Sequence, residues 1–294
     1  MKKIGIIPNI DKDLDLFFTK KVIKTIVELG GRALITNDVS KLIGETCAES
    51  YESEKLIENA ELVICLGGDG SFLKVARKVY EQKLPVLGIN LGSLGFLAEV
   101  DKSEIETAMA RIISDDYEVE ERMMLDVSVK KDNKIIYSDV ALNDIVISRG
   151  ALSRIIHLKT YINDEFVDTF PGDGLIISSP TGSTAYSLSS GGPIVEPNID
   201  LLIITPICPH ILYSRSFITE GSSTVKILLS EGSSSDAMVT ADGQIGFPIR
   251  EDYVIEINKS DNTVKMIQMR KKNFFNILRN KIYFRGENLK KDEI

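Results

Sequence analysis

Four apolar residues in a row, Leu62-Val63-Ile64-Cys65, lead into Leu66-Gly67-Gly68-Asp69-Gly70-Ser71 and then into an amphipathic run over 72–80. An unbroken apolar tetrad suits a strand covered on both faces, and the run after it has helical spacing. The same alternation marks the whole first part of the chain. Residues 3–7 are predicted as a strand, 14–29 as a helix stopped by Gly30-Gly31, and 32–36 as the next strand. A short helix over 53–59, the strand at 62–65, a helix capped by Ser71, a strand over 85–89 and a helix over 103–113 capped by Ser103 continue it. Alternating strands and helices specify a parallel sheet with covering helices, so residues 1–119 are predicted as an α/β domain of Rossmann-like plan. No G-x-G-x-x-G occurs, so the common dinucleotide fingerprint is missing.

From residue 120 to 269 the apolar period shortens to two. Residues 125–130, 155–162, 224–229, 253–257 and 263–267 read as strands, with turns at 131–134 and at Asn163-Asp164. This pattern predicts an all-β domain, antiparallel and of sandwich or barrel type. In the tail, 270–294, Asn273-Phe274-Phe275-Asn276-Ile277-Leu278-Arg279 reads as a helix that packs back on the first domain, and Arg270-Lys271-Lys272 as a solvated face.

Composition narrows the class. The chain has 294 residues, 43% hydrophobic and 27% charged, the profile of a soluble globular protein. No apolar stretch approaches the roughly 20 residues of a membrane-spanning helix. The apolar part of Met1-Lys2-Lys3-Ile4-Gly5-Ile6-Ile7-Pro8 is too short for a secretory leader, so a cytoplasmic protein without a membrane partner is expected. Cys47, Cys65 and Cys208 are far apart and are predicted as buried free thiols, with no zinc site or disulfide framework. A net charge of -8 weighs against nucleic acid as a partner and leaves small anionic ligands open.

Candidate chemistry begins at the glycine turn. Glycines let the backbone approach a ligand closely, and a helix start offers free N–H groups and the positive end of a dipole. That combination suits phosphate. A carboxylate at Asp69 repels phosphate, so it makes sense if it takes a proton from an attacking hydroxyl or helps to hold Mg²⁺. Such turns also occur without function, and Gly67-Gly68-Asp69-Gly70 is shared by several kinase families that differ in acceptor. A second signal is the stretch from Asp173 to Pro193, a strand followed by small hydroxyl residues and glycines around Tyr186. Ser and Thr there can donate to ribose or phosphate oxygens, and the Tyr186 ring offers a face to a base. Asn143-Asp144 interrupts an apolar β run, either as a turn or bulge or as a polar pair for ribose hydroxyls. His157 alternates within a strand and reads as structural, His210 lies in a polar loop, and two isolated histidines make no metal site.

Taken with Leu91-Gly92-Ser93-Leu94-Gly95-Phe96-Leu97, Pro180-Thr181-Gly182-Ser183-Thr184-Ala185-Tyr186-Ser187-Leu188-Ser189 and Asp242-Gly243-Gln244, these motifs resemble the bacterial NAD kinases. Those enzymes phosphorylate the 2′-hydroxyl of the adenosine ribose of NAD to make NADP. The resemblance implies Asp69 as general base, Gly70 on the same ribose and Phe96 beside the adenine. It also implies Asn143 and Asp144 on the adenosine side and Asp173 on the nicotinamide half. Thr184, Ala185, Tyr186, Ser187, Leu188 and Ser189 would line the dinucleotide, with Arg154 at an often basic position and Gln244 as a polar contact. It further implies NAD and ATP or another phosphate donor as ligands, and Mg²⁺ held largely by donor phosphates. A homodimer or homotetramer would complete the site, with Ile207-Cys208-Pro209-His210 as a candidate segment. Two positions depart from the family: Asp144 stands where Glu is usual, and Pro171 where some relatives are basic. A lipid kinase sharing the glycine tetrad and a non-catalytic NAD(P) sensor are the alternatives; the acidic balance and the Ser/Thr-rich loop oppose the first, and Asp69 the second.

Overall fold

Strand and helix alternate from the first residues onward in the computed structural model, which describes residues 1–92, 95–150, 155–230, 237–269, 274–279 and 281. The elements are β1 (Lys3–Pro8), α1 (Phe17–Glu28), β2 (Arg32–Thr36), α2 (Asn37–Ile43), β3 (Glu49–Tyr51), α3 (Ser53–Asn59), β4 (Leu62–Gly67), α4 (Asp69–Val79), β5 (Val86–Asn90), β6 (Val100–Asp101) and α5 (Ile105–Ile113). The six strands pair in parallel in the order β6-β5-β4-β1-β2-β3. β4 is buried at every position, as its continuous apolar run requires. Ile4, Ile64, Leu66 and Ile89 of the sheet share one core with Ile26 of α1 and Ile112 of α5.

Several local expectations need correction. The helix expected over 14–29 starts as a 3-10 turn, Leu14–Leu16, and kinks at Leu16, where φ is 53°, before α1. Gly30 ends it with φ at +81°, as a C-terminal glycine should. α2 escaped the sequence pattern; its N-cap is Thr36, whose hydroxyl accepts the N–H of Val39. Ser71 is not a cap, because α4 begins two residues earlier with Gly68 as N-cap. Nor does Ser103 cap the helix near 103. Asp101 and Glu104 form a reciprocal capping box around a 3-10 turn, Lys102–Glu104, and α5 starts at Ile105. Cys65 is the buried thiol, pushed up to about 12 by burial, whereas Cys47 and Cys208 are exposed in polar loops.

The chain divides into two units, Met1–Glu121 with the described residues from Val264 onward, and Arg122–Thr263. The elements of the second part are β7 (Glu118–Lys131), β8 (Lys134–Ala141), β9 (Asp144–Arg149), β10 (Ile156–Ile162), β11 (Glu165–Gly172), β12 (Gly174–Ser178), α6 (Tyr186–Ser189), β13 (Leu201–Ile207), β14 (Phe217–Glu220), β15 (Val225–Leu229), β16 (Ala237–Ala241), β17 (Phe247–Ile249) and β18 (Val254–Gln268). One antiparallel sheet runs β14-β13-β12-β9-β16-β17. Opposed to it are the antiparallel run β11-β10-β15-β18 and the hairpin β7-β8. Leu158, Ile227 and Ile255 of one layer meet Ile147, Leu175 and Ile204 of the other in a single core. That is a sandwich, one of the two forms that the period of two allowed. The strands expected separately at 253–257 and 263–267 are one strand of 15 residues. Its far end belongs to the first unit, where Met266 pairs with Val86 of β5.

Among the described residues no helix is long and apolar enough to cross a membrane. Residues 274–279 and 281 are helical, and the Phe274 ring lies 6.5 Å from that of Phe96. The basic cluster at 270–272, Asn273, Ser93, Leu94 and Arg154 lie outside the described residues.

Candidate functional site

In the first unit the glycine turn sits where β4 hands over to α4. Gly67 must lack a side chain, because a Cβ would overlap Ser71. The Ser71 hydroxyl accepts a 2.7 Å hydrogen bond from the Asn9 amide, which ties the end of β1 to the turn. None of Gly67, Gly68 and Gly70 takes a positive φ, and of the three it is at Gly67 that the close approach of the chain requires glycine. Gly70 is exposed, with open space where a side chain would stand. Asp69 and Gly70 open the helix, where N–H groups have no preceding carbonyl to bond.

The Asp69 carboxylate is aimed by the loop after β5. Its Oδ2 accepts the N–H of Phe96 at 2.8 Å, and its Oδ1 accepts those of Leu97 and Ala98 at 3.0 and 3.3 Å. The loop comes this close because residue 95 is glycine; a Cβ there would overlap Asp69 Oδ1. Leu91 anchors the same loop by donating its N–H to the Gly67 carbonyl at 2.9 Å. Lys281 contributes the remaining contact, with Nζ 3.5 Å from Asp69 Oδ2 and 4.3 Å from the centre of the Phe96 ring. Two residues singled out in the sequence, Asp69 and Phe96, therefore share a neighbour that the sequence did not disclose. Ser71 of the turn also lines a cleft of about 220 Å³ together with Asn9, Asp11, Lys74 and Lys78. Lys74 and Lys78 make no ion pair among the described residues, and the ammonium of Lys12 stands beside Gly68.

The second unit collects most of the other candidates around β12. At its far end, Asn143 and Asp144 occupy the break between β8 and β9. Three segments hold that break. The Asn143 carbonyl accepts the N–H of Ser179 at 2.9 Å and the Ser178 hydroxyl at 3.2 Å. Gly182 lies so close that a Cβ would overlap the same carbonyl oxygen. Asp242 takes the N–H groups of Leu142, Asn143 and Asp144 at 2.8, 2.8 and 3.2 Å. The Asn143 side-chain amide makes no hydrogen bond within the described chain, so its donors and acceptor are available.

Asp144 and Asp242 are 5% and 8% exposed, two carboxylates with little water around them. Burial first, and then the charge of Asp242, push the Asp144 carboxyl up to about 7, against the N–H of Tyr186, which pulls it down. The stretch expected as a loop is partly helical, a 3-10 turn at Thr181–Thr184 followed by the single turn α6. Tyr186 and Ser189 are exposed, and Thr184, Ala185 and Leu188 half-buried. Ser187 is fully buried and its hydroxyl bonds that of Thr205 at 3.1 Å, so its side chain faces the interior. The Thr181 hydroxyl is buried without a hydrogen-bond partner among the described residues. Gln244 is half-buried and donates from Nε2 to the Asp242 carbonyl at 3.1 Å.

Asp173 lies at the other end of β12 and is not part of that cluster. Five strand residues separate the two ends, roughly 17 Å at the usual strand rise. Its carboxylate takes a 2.6 Å hydrogen bond from Arg149 Nε. Its N–H donates to Ile207, and that of His210 to Pro171, which brings Ile207-Cys208-Pro209-His210 beside it. Both histidines are exposed.

Residues 4–117 match the ATP-NAD kinase N-terminal domain and 142–269 the ATP-NAD kinase C-terminal domain. The chain belongs to the ATP-NAD kinase family. It is 53% identical to an NAD kinase of Acetivibrio thermocellus over 99% of this chain and 100% of that one. It is 50% identical to an NAD kinase of Ruminiclostridium cellulolyticum over 98% of this chain and 100% of that one. A yeast NADH kinase, solved in complex with NADH, superposes with a TM-score of 0.84 at 25% identity, covering 96% of this chain and 87% of the yeast one. Family membership sets aside the lipid kinases and the non-catalytic sensor as alternatives. Sequence reasoning passed over Asp242 and Lys281. The first stood in view within Asp242-Gly243-Gln244; the second offered no signal beyond an amphipathic tail.

Proposed function

We propose that Asp69 is the general base through which this NAD kinase makes NADP. As a member of its family the chain is an enzyme that phosphorylates NAD to NADP. In the proposed step the ribose 2′-hydroxyl gives its proton to the Asp69 carboxylate, and its oxygen forms a bond to the terminal phosphorus of ATP. The bond from that phosphorus to the bridging oxygen breaks, and its electron pair leaves with the diphosphate. A hydroxyl is a weak nucleophile at neutral pH, so a positioned carboxylate supplies what the reaction lacks. The observation that carries this role is the aim of Asp69, fixed by three backbone N–H bonds at the start of a helix. The free N–H groups of the helix start would stabilise charge on the transferred group.

Asn143, Asp144, Tyr186 and Gln244 would contact the adenosine side of NAD, with the unspent Asn143 amide and the Thr181 hydroxyl as the specific donors. Asp173, a strand's length away, suits the nicotinamide half of an extended ligand. Among the described residues no three carboxylates, histidines or cysteines gather as a metal site. Mg²⁺ would arrive with the donor, held largely by phosphate oxygens, and would neutralise their charge. A homodimer or homotetramer in the cytoplasm fits the family; Leu212 and Tyr213 are 91% and 88% exposed and would be covered by a second copy.

The test is Asp69→Asn, assayed for NADP formation and for NAD binding. Turnover should fall at least about a hundredfold, the usual scale for a general base, with NAD affinity nearly unchanged. Near-normal turnover would remove Asp69 from the role.

A further inference from the structure

We propose that Lys281 is a catalytic residue, its ammonium group taking the oxygens of the phosphoryl group in transfer. This rests on the role of Asp69 proposed above. Lys281 is held twice, by the Asp69 carboxylate at 3.5 Å and by the Phe96 ring face at 4.3 Å. A cation over an aromatic face is attracted independently of any ion pair, so the ammonium keeps its place when the carboxylate changes partner. Distances set by the chemistry put it within reach. A general base sits about 3 Å from the oxygen it deprotonates, and that oxygen approaches phosphorus to roughly 3–3.5 Å. A cation touching the base is thus a near neighbour of the phosphoryl oxygens, and four flexible carbons let it cover the difference.

The same cation resolves the electrostatic conflict of a carboxylate beside a polyphosphate. Before substrate binds it compensates Asp69. Once the carboxylate has the hydroxyl proton, the ammonium is free for the transferred group. Lys281 keeps all its protons throughout and forms no covalent bond; only its hydrogen-bond partners change. Lys74 and Lys78 line the cleft beside Ser71, and neither contacts Asp69.

Lys281→Met, Lys281→Ala, Lys281→Arg and Asp69→Asn are to be compared in steady-state kinetics for ATP and NAD, with NAD titration calorimetry and thermal melting. For Lys281→Met, kcat should fall about a hundredfold to a thousandfold, the range for a lost electrostatic contact to the reacting group. The KM for ATP should rise while the Kd for NAD and the Tm stay put. Arg should recover part of the rate, and ethylamine should restore part of it to Lys281→Ala. Wild-type kcat in the Met variant, a defect confined to NAD affinity, or a loss that tracks Tm and yields to neither Arg nor ethylamine would overturn the assignment. An active Asp69→Asn beside an impaired Lys281→Met would instead count against Asp69 alone.

Discussion

At Asp144 burial and a neighbouring charge act in the same direction. Its carboxyl titrates near 7 in the folded protein, against about 3.9 in an unfolded chain. The native state therefore binds more protons than the unfolded one between those values, so this group's contribution to stability is complete below about pH 4 and is lost as pH rises through 7. Asp144→Asn removes the titration while keeping a polar side chain of the same shape. By calorimetry it should melt above the wild type at pH 8, with the gap closing towards pH 5; a gap independent of pH would show that Asp242 and burial do not act on Asp144 in this way. The paired carboxylate, Asp242, accepts three backbone N–H groups that the sequence does not hint at. Those donors lie 98 to 100 residues earlier in the chain. Contacts of that span leave no periodicity or spacing to read, which is why Asp144 was legible as an oddity and Asp242 only as part of a motif.

Among the elements, the loop after β5 depends on one missing side chain. Gly95→Ala would drive a methyl group into Asp69 Oδ1 and push the carboxylate off the N–H groups of Phe96, Leu97 and Ala98. Misplacing a reacting group by about 1 Å costs on the order of a hundredfold in rate, so kcat should fall on that scale. The Tm should fall as well, since Leu97 and Ala98 of the loop are buried and the methyl group has no room; kinetics and melting on the one variant check both halves. Many of the strands were legible, whereas β3, β6, β11, β13, β14, β16 and β17 were not among the strands expected. β2 and α3 fall on the residues expected, because unbroken apolar runs and helical spacing are local signals. Caps were less so. Serines at 71 and 103 have the right chemistry, yet Gly68 starts α4 where β4 ends, and Asp101 wins over Ser103 through its reciprocal bond with Glu104. α2 was hidden because Asn37-Asp38 look like turn residues until Thr36 is seen capping them.

For the molecule as a whole, the change of apolar period near residue 120 announced two architectures, and both are present. The family resemblance, carried by motifs from residue 67 to 244, agreed with that division without being needed for it. Since NAD binds the folded chain, saturating NAD should raise the Tm; at a hundred times Kd the stabilisation is about 2.7 kcal/mol. Asp69→Asn should show the same rise by differential scanning fluorimetry, because the proposed dinucleotide contacts lie on other residues. A variant that gains nothing from NAD would mean that Asp69 binds rather than reacts.

β18 leaves one unit and ends in the other, so the first unit is not a single stretch of chain. Its core takes in Ile267 and Met269, and its Asp69 meets Lys281. On the ribosome, where synthesis runs at about 5–20 residues per second, the sandwich has all of its residues before the older α/β half has its last ones. The part translated first is the part finished last, and Lys281 reaches Asp69 only after both cores have been spelled out.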